Sequence, residues 1–179
     1  MKPPTRSLAA TILFALTLLA AFPRPGSAAR DLRGSFAPSF SLKDKDGRVR
    51  TLAEFKGKVL LVDFWASWCA PCKASFPALD ALHEELHGEG LEVVAINVDE
   101  DAKSAQAFLS GRSPSMTVLF DPLGRSPEDF KVEGMPSSYL IDREGRIRFR
   151  HMGYTDKTKS DFRREISILL GEGSDRAQK

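Results

Sequence analysis

The only two cysteines of this 179-residue chain stand three apart, in Trp68-Cys69-Ala70-Pro71-Cys72. A nearly continuous apolar run, Val59 to Trp65, leads into them, and residues with helical spacing follow. On a helix, that separation sets both sulfurs on one side of the first turn. Cys69 then falls at the helix N-terminus, where unpaired N–H groups and the helix dipole favour a thiolate. Cysteines in comparable settings have pKa values of roughly 3.5–7.5. The chemistry this suggests is thiol–disulfide exchange, with Cys69 as the exposed nucleophile and Cys72, one turn inside, as the resolving thiol. Pro71 suits a first-turn position because its missing N–H would have no partner there. Trp68, Ala70 and Pro71 are read as support for the pair.

Other uses of two cysteines fit less well. A c-type haem site needs His directly after the second Cys, and here Lys73 stands there. A zinc site needs two further ligands. His83 and His87 lie on one face of the same helix, but Cys72 and His83 are 11 residues apart. At 1.5 Å per residue that is about 16 Å, too far to share an ion within one chain. The two histidines are therefore read as a solvated helix face, and no metal or cofactor is assigned. A purely structural disulfide closing so short a loop constrains the unfolded chain little.

Two more residues suit exchange chemistry. Asp63 interrupts Val59-Leu60-Leu61-Val62-Asp63-Phe64-Trp65, and a carboxylate there is expected to be buried with a raised pKa. Near a buried thiol it could act as the base that deprotonates Cys72. The alternative is an Asp at a strand end, satisfied by backbone or by Lys58. Pro136, between Met135 and Ser137, precedes an apolar stretch. A cis bond there would press the loop against the disulfide and leave backbone for a substrate peptide. Local sequence leaves that open.

These residues need a scaffold. Phe40–Leu42 and Val49–Leu52 flank Lys43-Asp44-Lys45-Asp46-Gly47 and read as a hairpin after a linker from Arg30 to Pro38. Val59–Trp65 reads as a strand buried on both faces. Cys69–His87 reads as a helix kinked by Pro77 and stopped by Gly88. A strand Leu91–Val98, a helix Ala102–Leu109 and a strand Thr117–Phe120 follow. A helical turn near Ser126–Phe130 and a second hairpin, Ser138–Ile141 with Arg146–Phe149, come next. A last amphipathic helix carries Phe162, Ile166, Leu169 and Leu170 and is expected to end at Gly171. The order β-β-β-α-β-α-β-β-β-α predicts an α/β sandwich with a mixed central sheet.

Residues 1–29 stand apart from the fold. Lys2 and Arg6 precede an uncharged run, Ser7–Phe22, and then Pro23 and the small residues Ser27-Ala28-Ala29. This is the pattern of a signal peptide. An uncleaved anchor remains open, although the run falls short of the ~20 residues a spanning helix needs. No cysteine near the site offers a lipid attachment point. The folded domain is placed at 30–173, with a polar tail at 174–179. The formal charge of +2 changes with this division. Removing Lys2, Arg6 and Arg24 from the 26 basic residues leaves 23 against 24 acidic residues, a net of −1. No basic block with interleaved aromatics exists to suggest nucleic-acid binding.

Val62-Asp63-Phe64-Trp65-Ala66-Ser67-Trp68-Cys69-Ala70-Pro71-Cys72-Lys73 resembles the active-site segment of thioredoxins. Phe36-Ala37-Pro38-Ser39-Phe40-Ser41-Leu42 and Gly134-Met135-Pro136-Ser137-Ser138-Tyr139-Leu140-Ile141-Asp142 resemble the TlpA/ResA branch of extracytoplasmic thioredoxin-like proteins. The likeness covers about residues 34–170. It implies a thioredoxin fold with an N-terminal β-hairpin extension and a central insertion around Asp99–Phe130. It implies a cis Pro136 beside the cysteine pair, with Met135, Pro136 and Ser137 at the substrate. Asp63 matches the buried acid of thioredoxin, and Pro77 the proline of its active-site helix. One position departs from the branch: Ser75 stands where a Glu is usual, so that Glu's role does not carry over. Peroxiredoxins share the front of the domain, but their motif needs Pro at 62 and Thr or Ser at 66, where this chain has Val62 and Ala66.

The resemblance implies a reductant of exported proteins, acting on apocytochrome c or a copper-site assembly protein. Recharging would come from a membrane reductant of the DsbD/CcdA type, in the periplasm or another extracytoplasmic space. The residues alone leave the direction open. An oxidant or isomerase would use the same site at a different potential, where 30 mV is about 1.4 kcal/mol for a two-electron couple. A metal chaperone or docking module on the same fold is the non-enzymatic alternative.

Overall fold

The structure is a computed structural model that describes residues 32–174. The expected targeting segment and the last five residues lie outside it. Seven strands form one sheet: β1 (Ser41–Asp44), β2 (Val49–Thr51), β3 (Val59–Trp65), β4 (Leu91–Asn97), β5 (Thr117–Phe120), β6 (Ser137–Ile141) and β7 (Ile147–Met152). Their spatial order is β2-β1-β5-β4-β3-β6-β7. Strands β3, β4 and β5 run parallel, and every other pairing is antiparallel. Among the described residues four α-helices accompany them: α1 (Ala70–Leu86), α2 (Ala102–Leu109), α3 (Arg125–Asp129) and α4 (Asp156–Ser174). This is the expected thioredoxin-like arrangement. The front hairpin extends it by pairing onto β5.

All seven residues of β3 are buried, which accounts for an apolar run without alternation. Its odd and even positions nevertheless serve different cores. Val59, Leu61 and Trp65 join the cluster that holds Leu79 of α1, Phe162 of α4 and both cysteines. Leu60, Val62 and Phe64 join Phe40, Phe130 and Tyr139 on the opposite face. Burial of each such Leu or Phe contributes roughly 1.5–3 kcal/mol. The period of two places Asp63 on the α1 face, with Leu61 and Trp65.

Segment 99–130 is more than an inserted loop. Its strand β5 joins the front hairpin to β4. Phe64, Phe130 and Tyr139 pack ring against ring, with centroids 5.1–5.9 Å apart. The Tyr139 hydroxyl donates to the Phe130 carbonyl at 2.7 Å, which pins the end of α3 to the sheet.

Several boundaries differ from expectation. Residues 34–37 are not a free linker. Gly34 N–H donates to Ile147 O, Ile147 N–H to Ser35 O and Ala37 N–H to Gly145 O, so this segment pairs with the turn before β7 and with its first residue. The Arg146 guanidinium stacks over the Phe36 ring at 4.0 Å. The outward N–H and C=O of Ile147, where this edge strand begins, are thereby satisfied. Leu52–Phe55 forms a 3-10 turn rather than the end of β2, and the Glu54 carboxylate accepts the Thr51 N–H at 2.6 Å. Helix α4 does not stop at Gly171 but continues to Ser174. Pro77 lies within a continuous α1. Among the described residues no helix is long and apolar enough to cross a membrane.

Candidate active site

Cys69 and Cys72 are joined as a disulfide, with Cα atoms 5.3 Å apart. Strand β3 ends at Trp65, and after three intervening residues the chain enters α1 with Cys69 as its N-cap. The Cys69 Sγ accepts the backbone N–H of Cys72 at 3.2 Å. It thus takes up one of the unpaired donors that every helix N-terminus presents. Pro71 sits in the first turn, as expected. The loop before α1 is held from below. Asp99 accepts the Ser67 N–H at 3.0 Å, the Ser67 hydroxyl at 3.1 Å and the Asn97 side-chain amide at 2.8 Å. The Cys69 N–H donates to Ala66 O at 3.1 Å.

The expectation of an exposed Cys69 needs correction. The residue is only 6% exposed in the disulfide form, against 0% for Cys72. The exposed surface at this end belongs to Trp68, Ala70 and Pro71, with Trp68 at 68%. Trp65, at the end of β3, packs edge-on against Phe76 of α1 at 5.0 Å and also meets Phe108 of α2. The cysteine turn therefore rests on a rigid aromatic base.

Asp63 is buried in the middle of the sheet. It is satisfied by neither Lys58 nor the backbone: Ser138, its register partner on β6, donates its hydroxyl to Oδ1 at 2.5 Å. Burial pushes the Asp63 carboxyl up to about 7, and the Ser138 hydrogen bond opposes that rise only in part. A carboxyl with this property near neutral pH can hold or release a proton during exchange.

The Met135–Pro136 peptide bond is cis, as the resemblance implies. Ser137 pairs with Phe64 of β3, which brings this loop to the end of the sheet that carries the cysteine turn. Met135 packs against the cluster containing both cysteines. Of the three residues expected at the substrate, only Met135 keeps exposed surface. Pro136 is buried and its carbonyl accepts the Gly153 N–H. Ser137 is fully buried, lies between Phe64 and Met152, and donates its hydroxyl to Gly134 O.

Ser75 is buried in α1, and its hydroxyl donates to the Cys72 carbonyl at 3.1 Å. No second carboxylate enters the site at that position. The sequence reading missed Ser138 and Asp99. Ser138 has no local signal, because its role depends on a pairing across 75 positions. Asp99 had one, since Asn97-Val98-Asp99 places polar groups at the end of a buried strand. The reading of His83 as solvated is also corrected: it is 6% exposed, and only His87 projects into solvent.

A CxPC disulfide at the mouth of a strand–helix turn, on a thioredoxin-like sheet with a cis proline at the same end, defines a thiol–disulfide oxidoreductase. The chain belongs to the redoxin family, whose model matches residues 32–166. It is 33% identical over 138 residues to the thioredoxin-like protein YneN of Bacillus subtilis, covering 75% of this chain and 79% of that protein. It is 32% identical over 114 residues to the thiol-disulfide oxidoreductase ResA of the same organism, covering 64% of each chain. Among solved structures, a protein assigned as the thiol:disulfide interchange protein DsbE of Chlorobium tepidum superposes with a TM-score of 0.74 at 39% identity. That match covers 77% of this chain and 97% of the other.

Proposed function

We propose that this oxidoreductase works outside the cytoplasm as a reductant of exported proteins, with Cys69 as nucleophile and Cys72 as resolving thiol. The observation that carries this reading is Cys69 at the N-cap of α1, its sulfur held by the Cys72 N–H. The same N-terminal field stabilises a Cys69 thiolate once the disulfide is reduced. That thiolate attacks a partner disulfide, forms Cys69–S–S–partner and releases the partner's other sulfur as thiolate. Asp63 takes the proton of Cys72, whose thiolate attacks Cys69 Sγ. The Cys69–Cys72 disulfide forms and the partner leaves fully reduced.

Trp68, Ala70 and Pro71 offer the docking face, and Met135 borders it. Residues 1–29 act as signal peptide or membrane anchor and deliver the domain to the periplasm or an equivalent space. Partners are apocytochrome c or a copper-site assembly protein, and a membrane reductant of the DsbD/CcdA type restores the dithiol. The support for direction and partners is likeness to the ResA and DsbE proteins.

Cys72→Ala in the native host tests this. The variant stalls the mixed disulfide on Cys69, and the trapped partners are identified by mass spectrometry. Recovery of haem-site or copper-site apoproteins supports the reading. Recovery of a broad set of secreted proteins, together with a reduction potential near that of DsbA, about −120 mV, would replace it with an oxidant.

A further inference from the structure

The far end of α1 gathers side chains that thiol exchange does not use. His83 and His87, one turn apart, meet Glu92 of β4, and one ligand atom from each lies within 4.8 Å of the other two. His87 Nδ1 is 3.3 Å from Glu92 Oε1, and His83 Nε2 is 3.5 Å from Glu92 Oε2. We propose that these three residues bind a divalent first-row transition ion of the zinc class, with a fourth coordination position open to solvent.

Proton counting at His83 leads to this site. Ser115 Oγ carries one hydrogen. It lies 2.8 Å from Asp80 Oδ1, which only accepts, and 3.0 Å from His83 Nδ1. The hydroxyl donates to Asp80 and accepts the proton on His83 Nδ1. A neutral ring bonded in this way carries its lone pair on Nε2. Among the described residues that atom is buried without a hydrogen-bond partner, and it faces a carboxylate oxygen. Protonating Nε2 leaves an N–H whose acceptor, at 3.5 Å, lies beyond the usual 2.7–3.2 Å. A cation between the nitrogen and the carboxylate satisfies both lone pairs at once.

The distances suit such an ion. Zinc bonds to His nitrogen and carboxylate oxygen are about 2.0–2.1 Å, so neighbouring ligands of a tetrahedral ion stand about 3.3–3.4 Å apart. Each histidine nitrogen stands near that separation from a different Glu92 oxygen, 3.3 Å to Oε1 and 3.5 Å to Oε2, and the three ligand atoms lie within 4.8 Å of one another, so a small side-chain adjustment closes the set on one ion. Two imidazoles and one carboxylate form a borderline donor set, suited to Zn²⁺ and its neighbours. The Asp80–Ser115–His83 relay is the kind of outer contact that fixes the tautomer and orientation of a ligating histidine. His87 is the C-cap of α1, at the negative end of the helix dipole, which favours a cation. Such an ion would clamp the last turn of α1 to the start of β4, well away from the cysteines at the other end of the helix.

The test uses the untagged full chain with Cys69–Cys72 oxidised, so that neither thiol can take the ion. Zn²⁺ is titrated calorimetrically, and Co²⁺ is followed by its visible spectrum. The expected result is one ion per chain, a tetrahedral Co²⁺ spectrum and a Tm raised by Zn²⁺. His87→Ala alters an exposed ligand and Glu92→Gln a half-buried one, and each should weaken binding at least roughly tenfold. Ser115→Ala, which removes the outer contact, should weaken it by roughly 10–100-fold. Circular dichroism verifies that each variant is folded. No stoichiometric uptake at submillimolar Zn²⁺, or uptake unchanged in both His87→Ala and Glu92→Gln, overturns the proposal.

Discussion

Replacing Asp63 by Asn makes the buried carboxyl neutral at every pH while keeping its size. In the wild type the carboxyl rises from 3.8 to about 7 on folding, because burial disfavours its charge. Between those values the folded chain holds a proton that the unfolded chain has released. The sign follows: stability is fully present below pH ~4, falls as pH rises toward 7, and is constant above that. At about 1.36 kcal/mol per pH unit, the loss amounts to about 4 kcal/mol. Asp63→Asn carries no such loss. Urea unfolding of both oxidised proteins from pH 4 to pH 8 isolates this effect, since the disulfide does not titrate and other groups cancel in the difference. The variant should gain stability relative to wild type as pH rises, by up to about 4 kcal/mol, with most of the gain complete by pH 7. The same variant should reduce insulin more slowly, through a slower second step. A stability difference that stays flat, or that moves in favour of wild type as pH rises, would refute the assignment of a buried proton to Asp63.

Ser138→Ala removes the one hydrogen bond that opposes the rise at Asp63. Its stability-versus-pH curve should therefore break at a higher pH than that of wild type. Asp99→Ala leaves Ser67 and Asn97 without their shared acceptor. With charge-assisted hydrogen bonds each worth about 1.5–3 kcal/mol, it should cost about 2–4 kcal/mol in urea melts and slow insulin reduction by loosening the loop before Cys69. Phe36→Ala removes the ring under Arg146 and should cost about 0.5–1 kcal/mol without changing activity, measured by Tm and insulin turnover.

Much of the fold was legible because its signals are local. The apolar run of β3, the helical spacing after Cys69, and the Asp-Gly turn of the front hairpin each state their element within a few residues. The Cys69–Cys72 pair was legible for the same reason, since type, spacing and position at a strand–helix junction lie in one short segment. The turn at Leu52–Phe55 also had a signal, Thr51 followed three residues later by Glu54. What escaped depends on contacts across the chain. Residues 34–37 pair with the first residue of β7 and the turn before it through main-chain groups, which leave no side-chain pattern to read. The Ser138 hydroxyl reaches Asp63 only once β6 is in register with β3. His83 follows Leu79 by one helical turn and so continues a buried stripe. Its polarity suggested solvent, but a partner in the bend before β5, Ser115, makes its burial tolerable.

The proposed function turns on Cys69, at the N-cap of α1, being the reactive sulfur of the pair. Brief alkylation of the reduced chain at pH 7, with each site quantified by mass spectrometry, tests it most directly. Label is expected on Cys69 in large excess, with Cys72 reached only after unfolding. Equal labelling of the two, or preference for Cys72, would contradict it.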